Sequence, residues 1–293
     1  MAVPEIDYIK VKSPQEAVRM LRQFQGDAKI LAGGTDLILQ LQHGKEKAGH
    51  LVSLRGIAEL QKITASDQEI KLGCGVTHRQ VETSELMAKE LQALQEGASQ
   101  VGSVQIRNVA TVTGNICNGA PSADTAAPLL ALGARLKVLG PDGEKEVPLN
   151  EFYLGPGRTV LKDDEMVLEF IIPRPPQNSA SRYCKVSRRN AMDLALMGVA
   201  VYLKCASSNS VIEDVRIAMN TVAPTPIRAY RTENFLKGKF LDERILYKAG
   251  EVAVEESLPR TSWRSSAEYR KEMIKVYLRR TLIATYKEIK KEV

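Results

Sequence analysis

The sequence predicts an α+β fold, with strands and helices that intermix without a strict βαβ rhythm. Three observations carry this. Capping signals open amphipathic stretches at several points, an Asp-Gly pair between two strand-like segments announces a hairpin, and short apolar strands stand both before and after helices.

Taken in order, Ser13-Pro14-Gln15-Glu16 is a capping box with proline at the first helical position. It opens a helix with Ala17, Val18, Leu21 and Phe24 on one face, stopped near Gly26. Lys29-Ile30-Leu31-Ala32 is a short strand running into Gly33-Gly34, and a second helix carries Leu37, Ile38 and Leu41. Alternation in Glu69-Ile70-Lys71-Leu72-Gly73-Cys74 predicts a strand. Thr77 to Gln80 is another capping box, opening helical material that reaches about Gln100. Asp142-Gly143 lies between Arg135–Leu139 and Glu146–Leu149 and predicts the hairpin. A strand from Met166 to Ile172 ends at Pro173, and Pro175-Pro176-Gln177-Asn178-Ser179 reads as a linker, which places a domain boundary there. Beyond it, Ala200–Cys205 and Val211–Met219 are expected to pair around the polar turn Ser207–Ser210. Two helices finish the chain, Asp242–Glu256 and Ser266–Lys291, the latter announced by a capping box from Ser265 to Glu268.

Composition narrows the function classes. With 293 residues, 44% hydrophobic and 26% charged, the chain has ample material for a buried core. No basic region followed by an apolar run opens the sequence, and the longest apolar stretch, Leu194–Leu203, is too short to span a bilayer. A cytoplasmic protein with no membrane contact is expected. Cys74, Cys117, Cys184 and Cys205 are scattered, and His43, His50 and His78 are far apart, so no metal-ligand spacing is present and buried free thiols are expected. The net charge of +6 is concentrated near the end of the chain. There Leu278, Leu282, Ile283, Tyr286 and Ile289 recur at helical spacing, so the basic side chains are expected on the solvated face of a helix, without nucleic acid.

Two segments are rich in small residues. Ala32-Gly33-Gly34-Thr35-Asp36 joins a strand to a helix, and paired glycines let backbone N–H groups converge on a phosphate. It is neither the G-x-G-x-x-G fingerprint nor a P-loop, and a tight turn needing positive φ explains it as well when taken alone. Thr111 to Asp124 reads as polar loop material whose short donors and acceptors suit phosphates and ribose hydroxyls. Asp124 is expected to cap the helix Thr125–Leu132, with contact to a ligand hydroxyl as the alternative. Both loops follow apolar segments, which points to a single cleft.

Together the two loops resemble those of the FAD-binding subunits of molybdenum hydroxylases, most of all the xanthine dehydrogenase group. Gln105–Ala110, Phe152–Gly157, Lys185–Arg189, Ala223–Arg228 and Ser262–Ser266 match in the same order, so the resemblance runs through nearly the whole chain. It implies a two-lobed FAD-binding domain of the PCMH type over residues 1–175, with a lobe boundary near 55–60, and a smaller α+β domain of the CO dehydrogenase flavoprotein type over 176–293. It also implies cofactor contacts at Lys29, Ile30, Leu31, Ala32, Gly33, Gly34, Thr35 and Asp36, and at Thr111, Val112, Thr113, Gly114 and Asn115. Asp124, Val101, Val167 and Lys185 match further contact positions, with no catalytic or metal residue in this chain. Arg188 and Arg189 have an alternative role in ion pairs that orient the Lys185 strand against the core. One position departs from the pattern. Thr113 stands where the family usually has the first of two glycines, and its side chain either faces away from the phosphates or donates to one.

The partners implied are a large subunit carrying the molybdenum cofactor and a small subunit carrying [2Fe–2S] clusters, with NAD⁺ as acceptor. The wording of Gly119–Asp124 is most like purine-oxidising members. The same subunit in a carbon monoxide, nicotinate or aldehyde-oxidising complex, a stand-alone flavin reductase, and a non-enzymatic nucleotide-binding or assembly module remain as competing readings.

Overall fold

The structure, a computed structural model, describes residues 5–206 and 211–291. The first strand β1 (Asp7–Lys10) leads to helix α1 (Pro14–Phe24). The Ser13 hydroxyl accepts from the Glu16 N–H at 3.2 Å, but the Glu16 carboxylate reaches back to the Lys12 N–H at 2.7 Å, one residue before the cap itself. Ala17, Val18 and Leu21 are buried, and the helix stops where Gln25 turns left-handed. Strand β2 (Ala28–Leu31), helix α2 (Leu37–Gln42) and strand β3 (His50–Ser53) complete a small parallel sheet in the order β1-β3-β2. This part of the chain does follow a βαβ rhythm.

A second lobe begins with β4 (Ile63–Ala65) and β5 (Glu69–Gly73). The helical stretch after Thr77 breaks into three pieces, α3 (His78–Glu82), α4 (Glu85–Glu90) and α5 (Gln92–Ser99). The Thr77–Gln80 box forms on both sides, yet Ser84 starts a new cap, with its hydroxyl accepting from the Met87 N–H. Helices α6 (Val104–Val109), α7 (Val112–Cys117) and α8 (Ala126–Ala131) follow. Then β6 (Arg135–Gly140) and β7 (Gly143–Pro148) form the expected hairpin, whose two-residue loop is Pro141-Asp142 because Gly140 pairs with Gly143. After the short pair β8 (Tyr153–Gly155) and β9 (Arg158–Thr159), strand β10 (Met166–Pro173) enters the middle of a five-stranded sheet ordered β4-β5-β10-β6-β7. Ile70, Leu72, Leu136, Phe170, Leu94, Ile116 and Leu129 form its sealed core.

The last sheet is β11 (Ser179–Val186), β12 (Met197–Cys205), β13 (Ile212–Asn220) and β14 (Ile227–Arg228), in that order and antiparallel. The turn Ser207–Ser210 lies outside the described residues. Strand β12 alternates between two cores. Val199, Val201 and Leu203 face the closing helices, and Ala200 and Tyr202 join the core of the second lobe. Burial on both faces explains the unbroken apolar run there. Helices α9 (Tyr230–Leu236), α10 (Glu243–Glu255) and α11 (Ala267–Lys291) cover the outer face. Leu278, Leu282 and Ile289 are buried, with Ile283 and Tyr286 packed beside them. The cap of α11 is Ser266, which takes the Tyr269 N–H at 3.1 Å; the expected Ser265 instead bridges to Ser262. All four cysteines are free thiols, Cys74 and Cys205 buried and Cys117 and Cys184 half-buried. No helix among the described residues is long and apolar enough to cross a membrane.

Candidate cofactor-binding site

Strands β2 and β3 end side by side at Leu31 and Ser53, and open parallel sheets hold ligands beyond such carboxyl ends. A groove of about 450 Å³ lies there, lined by Leu31–Thr35 together with Tyr8, Arg55 and Ile106. Gly34 turns the loop with φ of 77°. Gly33 presses so closely on the backbone of the next lobe that a Cβ would meet the Val109 carbonyl oxygen and lie 2.8 Å from Ala110 Cα. Val109 and Ala110 lead straight into Thr111, so the first loop abuts the entrance of the second. Gln40 Nε2 also donates to Asn118 Oδ1 at 2.9 Å, tying α2 to the end of α7.

The second segment is not loop throughout. Its first half is α7, because the Thr111 hydroxyl accepts from the Gly114 N–H at 3.0 Å and Val112, Thr113 and Ile116 are buried. Cap and burial override the poor helix propensity of Gly114 and Asn115. The Asn115 side chain accepts from Thr125 Oγ1 at 2.7 Å, closing the remaining loop on itself. Thr113 faces inward: its hydroxyl oxygen is sealed from solvent and has no hydrogen-bond partner.

Asp124 does not cap the following helix, which has no side-chain cap at all. One carboxylate oxygen takes Lys185 Nζ at 2.7 Å and the other takes the Tyr183 hydroxyl at 3.0 Å. A charged partner from the last sheet outcompetes backbone N–H groups of its own segment, since both ions are withdrawn from water. Burial pushes the carboxyl up to about 6, against the opposing pull of Lys185 and Tyr183.

The other expected positions fall around these two centres. Lys29 pairs with Glu46 at 3.4 Å, and Ile30 and Leu31 belong to β2. Ala32 and Thr35 flank the glycines; Asp36 stands at the start of α2 without capping it, and partial burial raises its carboxyl. Lys185 Nζ also donates to the Gln100 carbonyl at 3.1 Å, beside Val101. The Val101 carbonyl accepts from Arg107 Nη1 at 3.0 Å, and Arg107 grips the Glu82 carboxylate with Nε and Nη2 at 2.9 and 3.1 Å. Val167, at a bulge in β10, packs in the same buried cluster as Val112 and Ile116. Arg188 and Arg189 do not anchor the Lys185 strand to the core. Arg189 pairs with Asp193 four residues on, and the Arg188 guanidinium stands 5.7 Å from the Trp263 ring centroid, both in exposed turns that leave β11. Among the described residues no cluster of three His, Cys, Asp or Glu could hold a metal ion.

Sequence reasoning missed Tyr183, Asn220, Gln40, Tyr8 and Arg55. Only Tyr183 carried a signal, standing two residues before Lys185 and so on the same face of a strand.

Comparison with known proteins bears on this arrangement directly. Residues 4–175 match the FAD binding domain in molybdopterin dehydrogenase, and residues 182–285 match the CO dehydrogenase flavoprotein C-terminal domain. The xanthine dehydrogenase FAD-binding subunit of Escherichia coli O157:H7 is 36% identical over 277 residues, covering 94% of each chain. The carbon monoxide dehydrogenase medium chain of Hydrogenophaga pseudoflava is 30% identical over 98% of this chain and 99% of its own. A solved carbon monoxide dehydrogenase from that organism, lacking the Mo-pyranopterin moiety, superposes with a TM-score of 0.93 at 30% identity, over 98% and 99% of the two chains. With both halves matched and the glycine loops joined at one cleft, the chain belongs to the family of FAD-binding subunits of molybdenum hydroxylases.

Proposed function

We propose that this chain is the flavin subunit of a cytoplasmic xanthine dehydrogenase-type complex, relaying electrons from [2Fe–2S] clusters in a small partner through FAD to NAD⁺. A large partner carrying the molybdenum cofactor oxidises the substrate. The observation that carries the site is the packing of Gly33 on Val109 and Ala110, which makes one cradle of two loops 80 residues apart. The preference for a purine-type complex rests on 36% identity to the xanthine dehydrogenase subunit against 30% to the carbon monoxide dehydrogenase chain. The second reading, a carbon monoxide-oxidising complex, is favoured by the TM-score of 0.93 over 98% of the chain.

The residues present fit the cofactor. We assign Lys29–Asp36 and Thr111–Asn115 to its pyrophosphate, chiefly through backbone N–H groups, because Gly33 and Gly34 leave that backbone uncovered by side chains. Thr113 takes part through its backbone alone, its hydroxyl being turned inward. Asp124 supplies a fixed acceptor and Lys185 a fixed cation at the junction with the last sheet; Val101 and Val167 are assigned to the site on the family match alone. We place the FAD-binding domain at 1–175 and the second domain at 176–293. When bound, the flavin supplies exchange between one-electron donors and a two-electron acceptor; the chain binds, orients and shields it from water.

Co-purification of the chain with its partners, followed by molybdenum and iron analysis, tests the assembly. Oxidation of xanthine but not carbon monoxide supports the purine-type complex, and the reverse result replaces it with the second reading. The flavin-loaded chain by itself is expected to oxidise NADH with an artificial acceptor. Inertness towards NADH would remove NAD⁺ from the proposal.

A further inference from the structure

The last sheet does more than lend Lys185 to the site. Three of its strands converge behind the segment Pro121–Asp124. From β11, the Tyr183 hydroxyl donates to Asp124 Oδ1 at 3.0 Å. From the end of β13, Asn220 Nδ2 donates to the Ala123 carbonyl at 2.9 Å and lies 3.4 Å from the Tyr183 hydroxyl. The next residue, Thr221, has a left-handed φ of 64° and gives its N–H to the Pro121 carbonyl at 2.8 Å. That bent backbone is itself clamped, because buried Arg270 of α11 donates to the Thr221 carbonyl at 2.8 Å. On β12 between them, Gly198 leaves the necessary space: a Cβ there would strike Asn220 Oδ1 and the Tyr183 hydroxyl.

We propose that Tyr183 and Asn220 are positioning residues of the flavin site, acting through Asp124 and Ala123. The inference rests on the reading of Asp124 as a cofactor contact. Its physical basis is the division of labour at the carboxylate. A single donor would let the group rotate about Cβ–Cγ; Lys185 on one oxygen and Tyr183 on the other fix its plane. Asn220 holds the backbone one residue earlier, so carboxylate and main chain are set together. Both side chains are buried, and the Tyr183 hydroxyl and the Asn220 amide nitrogen each direct a hydrogen bond to this segment, while Asn220 Oδ1 has no partner among the described residues. The titratable groups that grip Asp124 are Lys185 and Tyr183, both on β11; β13 brings the neutral Asn220 amide to the Ala123 carbonyl, and α5 brings the Glu96 carboxylate, which accepts the Tyr183 N–H at 2.6 Å and Arg182 Nε at 2.7 Å. Tyr183 favours the ionised form of Asp124, so losing its hydroxyl raises the pH at which that carboxyl takes up a proton.

The test uses the full chain and Tyr183→Phe, with Tyr202→Phe as a control on a neighbouring tyrosine of the same sheet. Two quantities are measured: the affinity for FAD by fluorescence titration, and the carboxyl titration of the flavin-free chain by infrared difference against Asp124→Asn. Tyr183→Phe is expected to weaken FAD binding roughly tenfold and to move the Asp124 titration upward, while Tyr202→Phe moves neither. Wild-type values of both quantities in Tyr183→Phe overturn the inference. Unchanged affinity in Tyr183→Phe beside a loss in Asp124→Asn overturns the positioning role alone. Wild-type affinity in Asp124→Asn overturns the reading of Asp124 and the inference with it. Should Tyr183→Phe fail to fold, Asn220→Ser, which loses the reach to the Ala123 carbonyl, is judged by the same affinity criterion.

Discussion

Replacing Thr113 by valine removes a hydroxyl that is sealed from water and bonded to nothing. Burying such a group without a partner costs about 1–3 kcal/mol. Valine keeps nearly the same outline, and the two residues differ little in helix propensity, so a gain of about 1 kcal/mol is expected. In a chain of 293 residues that corresponds to about 2 °C in thermal midpoint. Because the hydroxyl faces the core, FAD affinity is expected to stay at the wild-type level. Thr113→Gly, by contrast, loses a buried methyl and loosens α7, at a cost of about 2 kcal/mol, again with flavin binding retained. Melting of the flavin-free chain and FAD titration of both variants separate stability from binding. Tenfold weaker binding in Thr113→Val, with no rise in midpoint, would refute the reasoning and show that the hydroxyl turns outward to the cofactor.

Gly33→Ala drives a methyl against the Val109 carbonyl and forces the two loops apart; overpacking of about 1–3 kcal/mol predicts a roughly 5- to 150-fold loss of FAD affinity, seen as loss of yellow colour on purification. A fully yellow variant would show that the loops bind independently. Asp124, lifted from 3.8 to about 6 by burial, holds its proton more tightly in the folded chain than in the unfolded one. Its contribution therefore favours folding below about pH 4 and is lost as the pH rises through 6. Asp124→Asn should show a shallower decline in urea midpoint across that window, and an unchanged slope would exclude the assignment. Arg107→Met leaves the Val101 carbonyl without its donor and Glu82 with Arg79 alone, at 2.9 Å, and is expected to cost about 2 kcal/mol, which a denaturant midpoint equal to that of wild type would contradict.

Much of the fold and part of the site were legible in the residues. Local signals of a few positions sufficed for the caps at Ser13 and Thr77, the hairpin of β6 and β7, and the two closing helices. The glycine turn at Gly33-Gly34 was legible for the same reason: a strand, two glycines and a helix in succession state a backbone requirement locally. Where cap signals stood on adjacent residues, the sequence pointed beside the mark, at Ser265 for Ser266, and the helical material after Thr77 was read without its break at Ser84. The second loop was misread over its first half because Gly114 and Asn115 hide a helix whose support is burial rather than propensity.

The sequence by itself determined the glycine turn between β2 and α2, the α+β class and the family resemblance. Only the tertiary structure decided what Gly33 is for, since the atoms that exclude a side chain there belong to Val109 and Ala110, more than 70 residues away. It likewise turned Asp124 from a helix cap into the partner of Lys185 and Tyr183, and Thr113 from an open question into an inward-facing side chain. Caps, turns and periodicity depend on neighbours along the chain and are written there. Desolvated charge pairs and backbone-to-backbone approaches depend on which distant segments meet, and their strength exists only once water has been excluded between them.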